Sequence, residues 1–317
     1  MAANNLRIIY QNSVDLSTTT ISTSNSADGA NTPKSNLQLD SKSLVWRSTP
    51  NSTVYDTNSK TYTVKTNIVL SFSTANSPTI GGIMLPFCNL STVATVRVRG
   101  YSAIIPTTGT ATATVGPTAT TPGSLLFDTG TVRAAPYQVL GLWDWGSLPL
   151  GVNSYSYGGG TYGRCWLPSK QQVPAQYILI ELVDTANSSP YIELSRLIVG
   201  PYWSPTYNTS FGLSTSVKDL SSHMRSESGD LVTTRGIKFN SMNFDLKWLT
   251  PTDRLQFSMI TKGNGISRPI FISLFPDNLD NWEKEQAHQI YGKLSQLSDI
   301  QHPIFDTYSS QVEIEEV

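Results

Sequence analysis

Two adjoining segments between Thr79 and Tyr101 carry different hydrophobic patterns, and together they restrict what the first two-thirds of the chain can become. Residues 80–85 (Ile-Gly-Gly-Ile-Met-Leu) are an almost unbroken apolar run. The shortness of the run, with Gly and Pro at its bounds, favours a strand covered on both faces over a buried helix. Downstream, Ala94, Val96 and Val98 alternate with Thr95, Arg97 and Arg99, the period of two that marks a strand with one buried face. Residues 86–92 between them hold Pro, Asn and Ser, which favour turns. The pair predicts two core strands of a β-sandwich joined by a rigid connection.

Other segments supply strands that could pair with these. Residues 6–10 and 44–48 are short β-prone pieces, and Ile68, Leu70 and Phe72 share one face. Residues 125–130 end in an Asp-Thr-Gly turn, while residues 177–182 and 191–199 flank the turn-forming stretch 184–190. The expected fold is mainly β: an antiparallel jelly-roll sandwich over residues 44–200. An N-terminal strand and extended arm (1–43) precede it. Two insertions interrupt it, a Thr/Ala-rich one at about 105–123 and an aromatic, glycine-rich one at about 137–166.

After Pro201 the pattern changes, and residues 201–317 read as a smaller α+β module. Met242, Phe244, Leu246 and Trp248 alternate with polar residues and predict a one-sided strand. Thr250 as N-cap, Pro251 at the first helical position and Asp253 in the first turn predict a helix running to Gly263. A buried strand is expected at 269–275 and a second helix at 281–291. Glu283, Lys284 and Glu285 alternate in sign, the ordinary pattern of an exposed helix. Residues 293–317 read as two further β segments.

Composition narrows the function classes. Only 14% of the 317 residues are charged, against roughly 25% in an average soluble domain, which suits a surface largely covered by neighbouring subunits. The net charge of -1 points to neither nucleic acid nor an anionic membrane as a partner. No apolar run is long enough to insert in a bilayer, and no hydrophobic leader follows Met1, so folding in a cytoplasm is expected. Cys88 and Cys165 are expected to be free, buried thiols. His223, His288 and His302 stand apart at no ligand spacing, so no metal and no cofactor is expected. Nucleophile-elbow, phosphate-loop and dinucleotide motifs do not occur. The expectation is a protein that is not an enzyme.

The most site-like stretch is Leu142-Trp143-Asp144-Trp145-Gly146, followed by Tyr155, Tyr157, Tyr162, Arg164 and Trp166. Sugars present apolar C–H faces and rings of hydroxyls, which flat aromatics and adjacent carboxylate or guanidinium groups match. Candidate ligand-binding residues are therefore Trp143, Asp144, Trp145, Tyr155, Tyr157, Arg164 and Trp166. The same residue types also serve a subunit interface or a packed loop, and both alternatives stand. Trp46 is expected in the core with Arg47 beside an acid or carbonyl. Arg97 and Arg99 are expected on a solvated or ion-paired face.

The order of these pieces adds a resemblance. The series is Leu44-Val45-Trp46-Arg47-Ser48, Ile80-Gly81-Gly82-Ile83, Val96-Arg97-Val98-Arg99-Gly100-Tyr101, Phe127-Asp128-Thr129-Gly130 and Ile192-Glu193-Leu194-Ser195-Arg196-Leu197. It resembles the galactose-binding-like, discoidin-type jelly roll, and more narrowly the tailed-bacteriophage virion proteins of tail tips and baseplates. Tyr202-Trp203-Ser204-Pro205 and Phe275-Pro276-Asp277 extend the match through about residues 40–300. The resemblance implies a structural component of a phage tail, in the baseplate, tail tip or fibre-attachment region, made in the host cytoplasm and located in the virion. Its implied partners are other tail proteins (hub, tube or fibre subunits), copies of itself and, on the alternative reading, host surface glycans bound by a carbohydrate-binding module. The sugar- and calcium-binding residues of the discoidin family do not carry over, since their loops correspond to the insertions here.

Overall fold

The computed structural model describes residues 5–23, 32–48, 54–57, 61–73, 77–103, 123–135, 161–210, 212–276, 282–304 and 307–317. The three largest sheets are antiparallel and stack in layers. The outer sheet runs Val132–Arg133, Thr95–Tyr101, Tyr177–Asn187, Thr61–Ser71, Thr20–Thr23. The middle sheet runs Thr161–Trp166, Gly82–Cys88, Glu193–Leu194, Trp46–Arg47, with Ile198–Gly200 also on Gly82–Cys88. These two sheets form the antiparallel sandwich of jelly-roll type. A third sheet, from Tyr202–Trp203 through Arg7–Ile9, Ile270–Ser273, Gln289–Leu294, Thr307–Glu316 and Lys238–Leu249 to Ser214–Asp219, lies behind the middle one.

Register in the outer sheet follows the apolar pattern. Ile180 stands opposite both Ile68 and Val98, and Leu182 opposite Val96. These rings of β-branched and leucine side chains point into one core with Trp46, Ile83 and Leu85. A slip of one residue would turn all of them to solvent, so burial itself holds the register. On the polar face Arg97 forks onto Asp128 (Nε–Oδ1 3.0 Å, Nη2–Oδ2 2.5 Å) and Arg99 pairs with Glu181.

Gly82–Cys88 is buried at every position, because the middle sheet is covered on both sides. Ile83 and Leu85 enter the sandwich core, whereas Met84 and Phe87 enter a second seam with Tyr162, Trp166, Tyr202, Phe271 and Tyr291. Phe87 breaks the alternation. It adopts φ 55°, opposite a register shift between Thr161 and Gly163, and this irregularity turns its ring to the seam.

Several expectations are corrected. The strand Arg7–Ile9 lies inside the third sheet, between Tyr202–Trp203 and Ile270–Ser273. The expected arm contributes Val14, Ile21 and Leu37 to the sandwich core. Thr161–Trp166, read as the end of the aromatic insertion, is a fully buried strand; the remainder of that insertion (136–160) and most of the Thr/Ala-rich one (104–122) lie outside the described residues. Helix α1, Pro251–Asn264, starts at a capping box between Thr250 and Asp253. The second helix, α2, spans only Trp282–Ala287, and Ile290 and Tyr291 belong to the strand Gln289–Leu294, whose apolar partners outweigh helical propensity. In Lys238–Leu249, a bulge between Leu246 and Leu249 inverts the alternation near the end. Leu249 takes the buried place and Trp248 turns outward at 52% exposure.

Candidate functional site

Of the seven candidate ligand residues, Trp143, Asp144, Trp145, Tyr155 and Tyr157 lie outside the described residues. Arg164 and Trp166 are engaged in the seam between the sandwich and the third sheet. The Trp166 ring meets Tyr202 edge-on (centroids 5.6 Å, 82°) and Phe271 at 6.4 Å, and the Arg7 guanidinium lies 4.7 Å over its centre. Arg164 donates through Nη1 to the Arg133 carbonyl (2.8 Å) and through Nη2 to Glu285 Oε2 (2.5 Å). Glu285 is fully buried, contrary to the exposed helix its charge pattern suggested. Strand placement explains both outcomes: every side chain of Thr161–Trp166 has a layer on one side or the other.

The polar contacts of the seam continue around its edge. Tyr162 donates to Glu316 Oε1 (2.6 Å), whose other oxygen accepts from Lys42 (2.8 Å). Burial first, then the nearby Glu316 charge, holds the Tyr162 phenol well above its ordinary value. A cleft of about 1080 Å³ is lined by residues that include Asp15, Arg196, Tyr202, Phe271 and Tyr291. A chain of contacts starts in this lining and leads out of it: Asp15 accepts from Arg196 Nη2 (2.6 Å), Arg196 Nε donates to Tyr291 (3.1 Å), Tyr291 donates to Asp40 (3.1 Å), and Asp40 pairs with Lys293 (2.9 Å). Burial raises the Asp15 carboxyl despite the opposing Arg196 charge. Burial likewise raises Tyr291, with Arg196 opposing. Burial pulls Arg196 down, but Tyr291 and Asp15 together outweigh it and leave it above its usual value. The arrangement is a polar clamp between layers.

Cys88 and Cys165 are both buried, and neither forms a disulfide. Cys88 donates to the Thr161 carbonyl (3.1 Å), and burial pushes its thiol up to about 12, which keeps it protonated and unreactive. Among the described residues, no group of three or more His, Cys, Asp or Glu is placed to hold a metal ion.

Sequence reasoning missed the most exposed feature. Beyond the paired strands Ser214–Asp219 and Lys238–Leu249, the chain continues into a two-stranded ribbon, Ser222–Arg225 with Leu231–Thr234. Every residue of both ribbon strands is exposed. Val217, Leu220, Met224, Leu231, Val232 and Ile237 nevertheless present large apolar groups to solvent, Met224 at 71%. A two-stranded hairpin without a packed face is marginal in water, and grouped exposed apolar side chains mark interaction surfaces. The usable signal was the Ser-Gly-Asp turn at 228–230, where Gly229 takes φ 89°, between two β-prone pieces.

No protein-family model matches the sequence, and no curated protein matches it. Among solved structures, the chain is similar to CpGH89CBM32-5 from Clostridium perfringens in complex with GalNAc-β-1,3-galactose, at 8% identity and a TM-score of 0.32 over 58% of this chain and 96% of that one. It is also similar to chitosan-binding module 1 of a chitosanase/glucanase from Paenibacillus sp. IK-5, at 14% identity and a TM-score of 0.33 over 60% of this chain and 99% of that one. A GH29 fucosidase of Ruminococcus gnavus in complex with fucose is similar at 12% identity and a TM-score of 0.33, over 62% of this chain and 27% of that one.

Proposed function

We propose that the protein is a non-catalytic subunit of a larger particle, a structural component of a bacteriophage tail in the baseplate, tail-tip or fibre-attachment region that the sequence resemblance implies. On this reading it is made in the host cytoplasm, works in the virion, and joins neighbouring tail proteins or copies of itself through the ribbon at 214–237. The carrying observation is the apolar surface of that ribbon, which buries nothing of its own. A neighbour that covered Met224 and Val232, cross-strand partners on one face of the ribbon, would supply the missing face, and the low charge content agrees with a surface meant to be covered.

The test replaces residues 222–234 by a two-residue Asn-Gly turn. Every residue of both ribbon strands is exposed, so their removal takes nothing from a core and the shortened chain should fold as before. It should also disappear from purified virions, as read by mass spectrometry. Particles that incorporate the shortened chain at the normal level would refute the assembly role of the ribbon.

A second reading, carbohydrate binding at the host surface, is favoured in the sequence by Trp143-Asp144-Trp145, an acid between two flat aromatics. Changing Trp143 and Trp145 to Ala should then leave particles intact but unable to adsorb to cells. Unchanged adsorption would remove that role from these residues.

A further inference from the structure

We propose that the outer end of the third sheet carries a saccharide-binding groove built around Trp248. The inference deepens the carbohydrate reading at a different place in the molecule, and it is independent of the assembly reading.

The groove arises from the bulge between Leu246 and Leu249. Continued alternation would send Trp248 into the core behind Leu246. Instead, Lys247 and Trp248 are both exposed in succession, and the indole lines a depression of about 550 Å³, inside the range of small-ligand sites. Bulges beside functional sites re-aim one side chain in this way.

Register supplies the polar partners. Asp245 stands opposite Gln311, and Gln301 opposite Ser309. Residues 309 and 311 share a face, since they are two apart on one strand. Carboxylate, two amides and a hydroxyl therefore line the same floor on three adjacent strands, all of them bordering the depression with Trp248. Ser298, in the loop that forms one wall, has its Oγ buried without a hydrogen-bond partner.

The charges argue for a neutral ligand. Lys247 lies 3.6 Å from Asp245, so the one cation is offset locally, and Asp299 adds a second carboxylate at the rim. Such a floor repels phosphates and other anions. It offers donors and acceptors of both kinds to hydroxyl groups, beside a flat apolar surface for a pyranose C–H face. That combination fits a short neutral oligosaccharide.

The experiment is isothermal titration of the full chain with cello-, malto-, xylo-, galacto- and N-acetylchito-oligosaccharides. Three proteins are compared: the unaltered chain, Trp248→Ala, and the Trp143→Ala/Trp145→Ala pair. At least one sugar should bind the unaltered chain, and Trp248→Ala should weaken it by about tenfold or more, the scale of one lost aromatic platform. The Trp143/Trp145 variant should bind as the unaltered chain does. Equal binding by Trp248→Ala overturns the groove. Loss confined to the Trp143/Trp145 variant overturns it as well, while upholding residues 143–145 as the sugar site. Failure of every sugar to bind overturns both, as would be found if the groove seats a neighbouring subunit. Because Trp248 is exposed, its truncation should leave the melting temperature unchanged, so lost binding would not reflect lost folding.

Discussion

Arg164 and Glu285 offer a sharp test of whether the aromatic stretch ends in a binding site or in a structural seam. Arg164 sits on a middle-sheet strand and Glu285 on helix α2 of the C-terminal half; their contact is 2.5 Å, with side chains 9% and 0% exposed. Truncating either residue alone leaves a buried charge without its counter-ion, at a cost of about 3–5 kcal/mol. A chain this long loses about 2 °C of melting temperature per kcal/mol, so Arg164→Met and Glu285→Met should each fall by about 6–10 °C. Changing both to Met removes both charges together. Such replacements of whole buried pairs are often neutral or stabilising, although the Arg133 carbonyl loses the bond from Arg164 Nη1, about 1 kcal/mol. The double variant should therefore melt within a few degrees of the unaltered protein. Scanning calorimetry of the four proteins at neutral pH gives the coupling directly. Single variants that melt normally, or a double variant whose loss is the sum of the two, would refute the buried-pair account. Sugar titration of the double variant adds a second readout, since a ligand-contact role for Arg164 would show as lost binding in a stable protein.

Two further perturbations test local causes. Thr250→Ala removes the acceptor for the Asp253 amide (3.2 Å) at the start of α1 and should cost about 0.5–2 kcal/mol by urea unfolding; an unchanged midpoint would show that the cap is dispensable. The Asp128 carboxyl is held below its ordinary 3.8, first by the hydrogen bonds from Arg97, with burial opposing. Its stabilisation is thus present above pH 3.8 and is lost as the pH falls through the lower folded value. Asp128→Asn should flatten that acid limb of the melting curve, and an identical limb in both proteins would exclude the pair as its source.

The legible parts of the fold are those where local pattern and burial agree. Residues 82–85 read as a doubly covered strand because they lie in one, although Gly82–Cys88 runs on through three residues read as a turn. Trp46 falls in the core with Arg47 on Glu193 (2.5 Å), as expected of its strand. The capping box names the start of α1 from four residues. What stays hidden depends on distant partners. Nothing near Arg7–Ile9 shows that it pairs with Ile270–Ser273. Thr161–Trp166 has a loop-like composition because its neighbours across the seam are themselves aromatic, so rings meet rings on both sides. Glu285 looks like one charge in an exposed series until Arg164 arrives from another layer. Trp248 continues a perfect alternation in the sequence, and only the pairing with Thr307–Glu316 reveals the extra residue that turns it out. Of the seven candidate ligand residues, five lie outside the described residues, and Arg164 and Trp166 belong to the seam.

One sheet organises these outcomes from edge to edge. At one end, Ile9, Tyr202, Phe271 and Tyr291 turn their large side chains to the sandwich, and the seam buries them. Farther along the strand order, from Thr307–Glu316 onward, the same side of the sheet changes to Gln311, Asn243 and Asp245, and at the last strand the chain leaves the core as the ribbon. Opposite faces of Lys238–Leu249 follow different rules as a result. Met242, Phe244 and Leu246 stay apolar under α1, with Phe257 and Ile260 packed on them, while the other side is relieved of that constraint. A strand anchored firmly on one side can tolerate a bulge and an exposed indole on the other without losing its register. The firm packing of α1 is thus what permits a groove and a ribbon at the free edge, and loosening it, as Thr250→Ala does at the helix start, should weaken saccharide binding at Trp248 before it unfolds the chain. Binding by Thr250→Ala that persists unaltered up to the melting transition would sever that link.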